Sequence, residues 1–246
     1  MLQDHTIDEI KIFYDGTNID KYYKQNEVIK IKGFTTNPTL LNKGNLNTKI
    51  YSQIATNMLQ KTDNLPVSFE VFADDETEMI EQARIISSWD SSIYVKIPIV
   101  NTRGKYMTNV ITTLNNEGVK LNITAIFTEE QIFKTVRALT NTDVPTIISV
   151  FAGRIDDTGY DAKIIVKYAV DLIKEYPAFE ILWASIREVK NIYDAISVKC
   201  DIITVTDSVM DKLKYIGKDL TEFSIETVEM FYKDGQKSGI NFSTFD

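Results

Sequence analysis

The sequence predicts an α/β protein that folds as a single (β/α)8 barrel with a C-terminal helical extension, and three observations support this fold. Eight short segments rich in apolar and β-branched residues recur along the 246-residue chain. The segments between them are each long enough for one crossover connection, usually with helical periodicity, and this arrangement is typical of parallel strands. No Gly-x-Gly-x-x-Gly motif follows the first segment and no Walker loop occurs, so the nucleotide signals of open sheets are missing. Eight strands favour a closed barrel.

The predicted strands cover residues 11–16, 28–36, 67–72, 93–99, 120–127, 145–151, 179–184 and 201–205. Helical patterns cover residues 48–61, 74–89, 105–117 and 161–174, and further helices are predicted to start near Thr128, Ser185, Asp207 and Leu220. Thr128 with Gln131, and Ser185 with Glu188, have the spacing of capping boxes. We therefore predict one domain over residues 1–246, in which the helical extension covers about 218–246.

Composition excludes several classes of function. A formal net charge of −8 argues against a nucleic-acid partner, because phosphate backbones are bound by clustered lysine and arginine. One cysteine, Cys200, and one histidine, His5, exclude an intrachain disulfide and a four-ligand Cys/His zinc site, and argue against a catalytic triad. The N-terminal residues do not resemble a signal peptide, and no apolar stretch approaches the roughly 20 residues that span a bilayer. We therefore expect a cytoplasmic protein without a membrane partner.

The predicted fourth strand carries the most informative residue, Lys96. Side chains alternate along a strand, so Ile93, Val95 and Ile97 share one face while Lys96 lies on the other. A lysine with such apolar neighbours is either partly desolvated or paired. Desolvation disfavours the charged form and turns the amine into a nucleophile that can form a Schiff base with a carbonyl. A structural ion pair, or a side chain that reaches solvent at the strand end, is the alternative that this strand alone favours.

The other strands carry polar residues with the same alternation. Helices cover the outside of a barrel, so the minority polar face should point inward, and inward polar groups near the carboxyl ends of strands mark the active site. These residues are Asp15, Asn37, Ser68, Glu70, Asn122, Thr124 and Ser149, the last on the same face as Phe151. The alternative is a barrel core in which these polar groups merely hydrogen-bond to one another. It accounts for the Ser, Thr and Asn residues, but it accounts less well for Asp15, Glu70 and Lys96 together, because buried charges are costly unless paired. The set favours a catalytic lysine flanked by two carboxylates that move protons.

Two arginines follow later strands. Arg154 comes after the sixth strand, and Arg187 with Ser185 comes after the seventh, where a helix start is predicted. Arginine binds phosphate in a bidentate manner, a helix N-terminus adds backbone donors, and barrels often bind phosphate at their late loops. The alternative is that both arginines are ordinary surface residues.

These residues occur in segments that resemble the transaldolase family, which includes the shorter fructose-6-phosphate aldolase-like branch. The resemblance runs through nearly the whole chain, from FYDGTNID, GFTTNPTL, SFEVFADD and YVKIP to GVKLNITAIFT, SVFAGRID, WASIRE and CDIITVT. It implies a class I aldolase barrel without metal or cofactor that acts on sugar phosphates. By position, Lys96 would form the Schiff base, Asp15 would act as acid and base at the hydroxyl of the cleaved bond, and Glu70 with Thr124 would hold a proton-relaying water. Asn37, Asn122 and Ser149 would contact the substrate, and Arg154, Ser185 and Arg187 would bind its phosphate.

The resemblance leaves two activities open. The length of the chain and the Ile97-Pro98-Ile99 segment are nearer to the aldolase-like branch. That branch typically has Gln and Tyr where this chain has Glu70 and Phe151, which match the transferase pattern. A tyrosine hydroxyl could position water for release of the three-carbon unit, and phenylalanine cannot. We therefore expect dihydroxyacetone transfer, in the manner of pentose phosphate pathway enzymes, ahead of simple aldol cleavage. An inactive barrel that serves as a scaffold is the remote alternative.

The sequence does not name the acceptor sugar or the oligomeric state. The C-terminal extension contains Phe223, Ile225, Val228 and Phe231. It could cap its own barrel or dock on a neighbouring subunit, so a homo-oligomer is a further expectation.

Overall fold

The chain forms a closed barrel of eight parallel strands in sequential order, as seen in a computed structural model that describes residues 4–16, 19–22, 29–37 and 48–240. The strands are β1 (Lys11–Asp15), β2 (Ile31–Thr35), β3 (Val67–Glu70), β4 (Ile93–Pro98), β5 (Leu121–Ile126), β6 (Thr146–Val150), β7 (Phe179–Trp183) and β8 (Ile202–Val205). Strand β8 closes the barrel by pairing with β1. The predicted (β/α)8 fold is confirmed, with strands slightly shorter than expected. Val28, predicted to begin the second strand, lies outside the described residues.

Helices alternate with these strands. Those in the described part of the chain are Ile19–Tyr22, Thr48–Leu59, Glu76–Ser87, Thr108–Asn116, Glu129–Ala138, Ala152–Asp156, Ala162–Leu172, Lys190–Ser197, Asp207–Met210 and Leu220–Lys237, with 3-10 helices at Asp4–Glu9 and Leu213–Tyr215. The predicted capping box of Thr128 and Gln131 is confirmed, since each side chain bonds the backbone amide of the other residue.

The predicted capping box of Ser185 and Glu188 is wrong. The helix after β7 begins at Lys190, and its N-cap residue, Val189, makes no side-chain cap. The Asn191 side chain, from the first turn of the helix, instead accepts hydrogen bonds from the amides of Arg187 and Glu188, at 3.0 and 3.2 Å. Because these amides already have an acceptor, the segment before the helix is an ordered loop that needs no serine cap.

The core has an outer and an inner part, as the alternation along each strand requires. The outer part lies between strands and helices and includes Ile93, Val95 and Ile97 on β4. The inner part is a smaller apolar cluster inside the barrel, formed by Phe13, Tyr94, Ile147, Leu182, Ala184 and Ile202. Gly33 makes room for it, since a Cβ there would lie 2.4 Å from the Phe13 ring. The interior beyond this cluster, towards the carboxyl ends of the strands, is left to polar side chains.

The C-terminal helix, Leu220–Lys237, begins at Asp219, whose carboxylate accepts hydrogen bonds from the amides of Thr221 and Glu222. It buries none of its side chains, and Val228 and Phe231 are 62% and 64% exposed. The predicted helical extension is thus present as a helix on the described residues of that segment. Across the described ranges, no helix is long and apolar enough to cross a membrane.

Candidate active site

A cavity of about 400 Å³ opens at the carboxyl ends of the strands. Every strand, or the residue directly after it, contributes to its wall. The lining residues are Asp15, Thr35, Asn37, Glu70, Lys96, Asn122, Thr124, Ala125, Ser149, Phe151, Arg154, Leu182, Ala184, Ser185 and Thr204. The structure therefore brings to this cavity every residue for which a site role was predicted except Arg187, while Ser68, also predicted to face inward, contacts Asn122 and is not among the lining residues.

Lys96 lies at the centre of the charged groups. Its side chain is only 9% exposed, and its Nζ is 3.4 Å from Glu70 Oε2 and donates a 3.0 Å hydrogen bond to the Thr36 carbonyl oxygen. The barrel register explains the pairing, because Glu70 on β3 and Asn122 on β5 are the direct neighbours of Lys96 on β4. An amine that is buried beside a carboxylate, and open to a cavity, has the surroundings of a Schiff-base lysine.

Asp15 ends β1 on the same cavity. Its carboxylate Oδ1 accepts a 2.7 Å hydrogen bond from the hydroxyl of Thr35, the residue paired with it on β2. Burial raises the pKa of the Asp15 carboxyl above its usual value, although the charge of Lys96 and the Thr35 hydrogen bond both act to lower it. A raised pKa makes the Asp15 carboxylate a stronger base than an ordinary aspartate, as a proton-transfer group requires.

Asn122 is held in a fixed orientation by two serines. Its Nδ2 donates to Ser68 Oγ at 3.0 Å, and its Oδ1 accepts from Ser149 Oγ at 2.7 Å. The three side chains are at most 2% exposed, so the network is buried and both polar atoms of the Asn122 amide have a partner.

Thr124 differs from its neighbours in that its buried hydroxyl oxygen has no hydrogen-bond partner among the described residues. The strand is irregular here: the register of β5 against β6 shifts between Ile123 and Ile126, and Ala125 has a φ of 58°. A bulge of this kind re-aims side chains beside active sites. An unsatisfied buried hydroxyl that faces a cavity is a natural place for a water molecule.

The chain after β6 brings Arg154 to the rim of the cavity. A short helix begins directly after Phe151, and its Gly153 packs against the segment after β7 so closely that a Cβ would lie 1.7 Å from the Ser185 carbonyl oxygen. Ser185 itself has a φ of 66°, an uncommon conformation for a residue with a side chain. The Arg154 guanidinium carbon lies 5.5 Å from the centre of the Phe151 ring, so stacking orients it.

Arg187 does not line this cavity. Its guanidinium donates to Asp157, with Nε 2.9 Å and Nη2 2.6 Å from Oδ2. This pairing holds the pKa of the Asp157 carboxyl below its usual range. Both side chains are about half exposed, at 45% and 51%. The role of Arg187 in phosphate binding stays a prediction, and the structure brings only Arg154 and Ser185 of that set to the cavity.

Sequence reasoning missed several lining residues, of which Thr35 and Thr204 are polar. Thr35 could have been predicted from the sequence, because side-chain alternation puts it on the same face of the strand as Gly33 and the predicted site residue Asn37. Thr204 is the central polar residue of an apolar strand, and its hydroxyl lies 3.4 Å from the Trp183 carbonyl oxygen. Leu182 and Ala184 had no signal, because apolar residues inside a barrel look like any other core residues.

The fold and this cavity define a (β/α)8-barrel enzyme whose charged residues meet at the carboxyl end of the strands. The model of the Transaldolase/Fructose-6-phosphate aldolase family matches residues 12–245, and the chain belongs to this family.

Two relatives illustrate the similarity. The "Probable transaldolase" of Thermoanaerobacter sp. (strain X514) is 32% identical over 232 residues, which are 94% of this chain and 99% of the relative. The "Probable transaldolase 2" of Listeria monocytogenes is 32% identical over 235 residues, which are 94% of this chain and 100% of the relative. A crystal structure of a protein from Burkholderia cenocepacia J2315 matches with a TM-score of 0.53 over 92% of this chain and 93% of that one, at 9% identity, and shows the fold alone.

Proposed function

We propose that this chain is a transaldolase, which moves a dihydroxyacetone unit from a ketose phosphate such as fructose 6-phosphate or sedoheptulose 7-phosphate to an aldose phosphate acceptor. One observation carries the proposal: the buried amine of Lys96 lies 3.4 Å from the Glu70 carboxylate and shares a cavity with Asp15. Family membership and relatives named as transaldolases support it. The proposed place of action is the cytoplasm, in carbohydrate metabolism of the pentose phosphate type.

The first half of the reaction needs a neutral amine. In the proposed mechanism, the Lys96 ammonium gives a proton to Glu70, and its nitrogen lone pair attacks the C2 carbonyl of the ketose. The carbonyl oxygen takes a proton from the newly bonded Lys96 nitrogen and becomes the carbinolamine hydroxyl, while Glu70 keeps the proton it received. Glu70, through a water held by the unsatisfied hydroxyl of Thr124, then protonates this hydroxyl, which leaves as water when the C=N bond forms. The water relay fits the buried hydroxyl of Thr124, which has no hydrogen-bond partner among the described residues.

The second half breaks and makes the carbon–carbon bond. Asp15 takes the proton of the C4 hydroxyl, the C3–C4 bond breaks, and its electron pair moves to the iminium carbon to give an enamine on Lys96 and a free aldose phosphate. An acceptor aldehyde then reacts with the enamine in reverse, and Asp15 returns its proton to the new hydroxyl. Hydrolysis of the Schiff base releases the product ketose. In this mechanism Asn122 and Asn37, which line the cavity, would bond sugar hydroxyls, and Arg154 and Ser185, which also line it, would bind the phosphate.

Transfer is favoured over aldol cleavage by the identity of Phe151. The ring lies against Phe127, with centroids 5.6 Å apart, and offers the cavity an apolar face without a hydroxyl. Without a phenol to orient an attacking water, the enamine is protonated and hydrolysed slowly, so it persists until an acceptor aldehyde arrives. A fructose-6-phosphate aldolase-like lyase that releases free dihydroxyacetone is the second candidate, because the family includes both activities by name.

The test is reduction with borohydride in the presence of fructose 6-phosphate, followed by intact mass and peptide mapping. We expect one reduced adduct per chain, on Lys96, and none in Lys96→Met. Lys11→Met is the matched control, since it removes another barrel lysine that is paired with a glutamate. An adduct on another residue, or none with either ketose phosphate, would contradict the proposal. Adding an aldose phosphate and measuring new ketose against free dihydroxyacetone then separates transferase from lyase.

A further inference from the structure

The hydrogen-bond ladder between β2 and β3 is interrupted next to Lys96. The two strands pair only at Phe34 with Val67 and at Thr35 with Ser68. Their ladder continues to the amide of Thr36, which donates to the Ser68 carbonyl oxygen at 3.1 Å. In an uninterrupted parallel ladder, the next bond would run from the Glu70 amide to the Thr36 carbonyl oxygen. This bond is replaced by two others.

A tyrosine hydroxyl takes the place of the missing ladder bond between β2 and Glu70. The Glu70 amide donates to the Tyr51 hydroxyl at 3.0 Å, and the same hydroxyl donates to the Glu70 carbonyl oxygen, also at 3.0 Å. One phenol oxygen therefore satisfies both backbone groups that Glu70 turns towards β2. Without it, a donor and an acceptor near the cavity would lose their partners, which buried backbone groups rarely tolerate.

The Thr36 carbonyl oxygen is consequently available to Lys96. It accepts the 3.0 Å hydrogen bond from Lys96 Nζ in the position where the Glu70 amide would otherwise compete for it. A lysine amine keeps N–H donors in both protonation states, so this bond can orient Nζ before and after the amine becomes neutral.

Tyr51 is firmly placed to do this. Its side chain is 4% exposed, and its ring meets Phe69 and Trp89 edge to face at 5.7 and 5.5 Å. These contacts fix the ring independently of the hydroxyl. Burial raises the pKa of the Tyr51 phenol, so the hydroxyl stays neutral and able both to donate and to accept.

We propose that Tyr51 is a positioning residue for the reaction: its hydroxyl replaces the β2–β3 ladder bond at Glu70 and thereby holds Glu70 and Lys96 in reactive alignment. The inference rests on the proposed Schiff-base function. Tyr51 touches no reacting atom and acts through the backbone of Glu70 and the Thr36 carbonyl group.

The test is Tyr51→Phe, which removes one oxygen and keeps the packed ring. Misplacement of a reacting group by a fraction of an ångström is costly, so we expect kcat to fall about 10- to 100-fold while KM stays within about twofold. The rate of borohydride trapping at Lys96 should fall in parallel, and its pH dependence should shift because Lys96 and Glu70 no longer face each other at the same distance. Tyr176→Phe is the matched control: its ring stacks on Phe179 at 5.2 Å, at the start of β7.

Hydrogen exchange of the wild-type protein tests the inference even where the variant does not fold. In the wild-type protein, the Glu70 amide should be as protected as the Val71 amide, which donates to the Lys96 carbonyl oxygen in the regular β3–β4 ladder. It should lose that protection selectively in Tyr51→Phe. Rapid exchange of the Glu70 amide in the wild-type protein would overturn the inference even if the variant failed to fold.

The two proposals fail in different ways. If the wild-type protein forms no adduct at Lys96, the proposed function fails and the role of Tyr51 in it fails too. If the wild-type protein traps and transfers while Tyr51→Phe does so with the same kcat and pH profile per folded chain, only the inference about Tyr51 fails.

Discussion

The two ends of the barrel carry the same kinds of charged group in different surroundings. At the carboxyl end, Lys96 meets Glu70 and shares a cavity with Asp15. At the amino end, Lys11 pairs with Glu180, and Asp201 lies beside them. A lysine paired with a glutamate, with an aspartate nearby, is thus present at each end, yet only the carboxyl end has the features of an active site.

Burial and backbone bonding make the difference. The side chains of Lys96 and Glu70 are 9% and 18% exposed, whereas those of Lys11 and Glu180 are 55% and 27% exposed. The Asp201 carboxylate accepts a 2.8 Å hydrogen bond from the Ile181 amide, whereas the hydrogen bond that Asp15 accepts among the described residues comes from a side chain, the rotatable hydroxyl of Thr35. An exposed ion pair is screened by water and contributes little, while a buried charge beside a cavity keeps its reactivity for a ligand. Residue types alone do not identify a site.

The largest effect is expected from Lys96→Met. Removing the nucleophile should abolish borohydride trapping and lower kcat/KM by at least about 1,000-fold, because none of the other described lining residues carries an amine that can form a Schiff base. Steady-state transfer assays with purified variant measure this. Residual activity within about tenfold of wild type would mean that the two ends of the barrel are not functionally different in the way described.

Asp15→Asn should separate activity from stability. We expect kcat to fall by about 100- to 10,000-fold, the usual contribution of a proton-transfer group. The variant should nevertheless be more stable to unfolding than the wild-type protein at neutral pH. The pKa of Asp15 is raised in the folded state, so the wild-type protein loses stability as pH rises from the unfolded value through the folded one.

The asparagine variant avoids that loss. Its melting temperature should therefore exceed that of wild type at pH 7, and the difference should shrink towards about pH 4, near the ordinary pKa of aspartate, and below it. Thermal melts across this range measure it, and an equal or growing difference at acid pH would contradict the assignment of the raised pKa to Asp15.

Arg154→Ala and Arg187→Ala compare an arginine at the cavity with one outside it. Arg154 lines the cavity, so its loss should raise KM for sugar phosphates by about 10- to 100-fold, the range for one charge-assisted contact. Arg187 is already paired with Asp157, and we expect a smaller rise for its alanine variant. Kinetics with phosphorylated and unphosphorylated ketoses distinguish phosphate binding from a general loss, and equal effects of the two variants would show that both arginines reach the phosphate.

The smallest effect is expected from Lys11→Met at the amino end. Because the pair with Glu180 is exposed, the free energy of unfolding should change by less than about 1 kcal/mol and kcat by less than about twofold. Chemical denaturation and transfer assays provide both numbers. A strong loss of activity would contradict the distinction between the two ends, because it would mean that the amino end takes part in catalysis.

The sequence by itself determined the fold class and most of the site, because both follow from local periodicity. Alternation along each strand sends Glu70, Lys96 and Asn122 to the same side, and parallel register makes them neighbours once the eight strands close. The resemblance to a known family pointed to the same residues. The sequence predicts that these side chains face inward, whereas the register that makes Glu70 and Asn122 the direct neighbours of Lys96 is given by the structure.

Tertiary structure decided whatever depends on contacts between segments that are distant in sequence. Asn191 caps the loop where Ser185 and Glu188 were expected to cap a helix, and Asp157 engages the guanidinium of Arg187. Tyr51 reaches the backbone of Glu70 from a helix that shows only an apolar stripe in the sequence. Periodicity reports which side of an element a residue occupies. Tertiary packing determines which group from elsewhere in the chain contacts that residue. It thereby determines the partners that align Lys96 and Glu70.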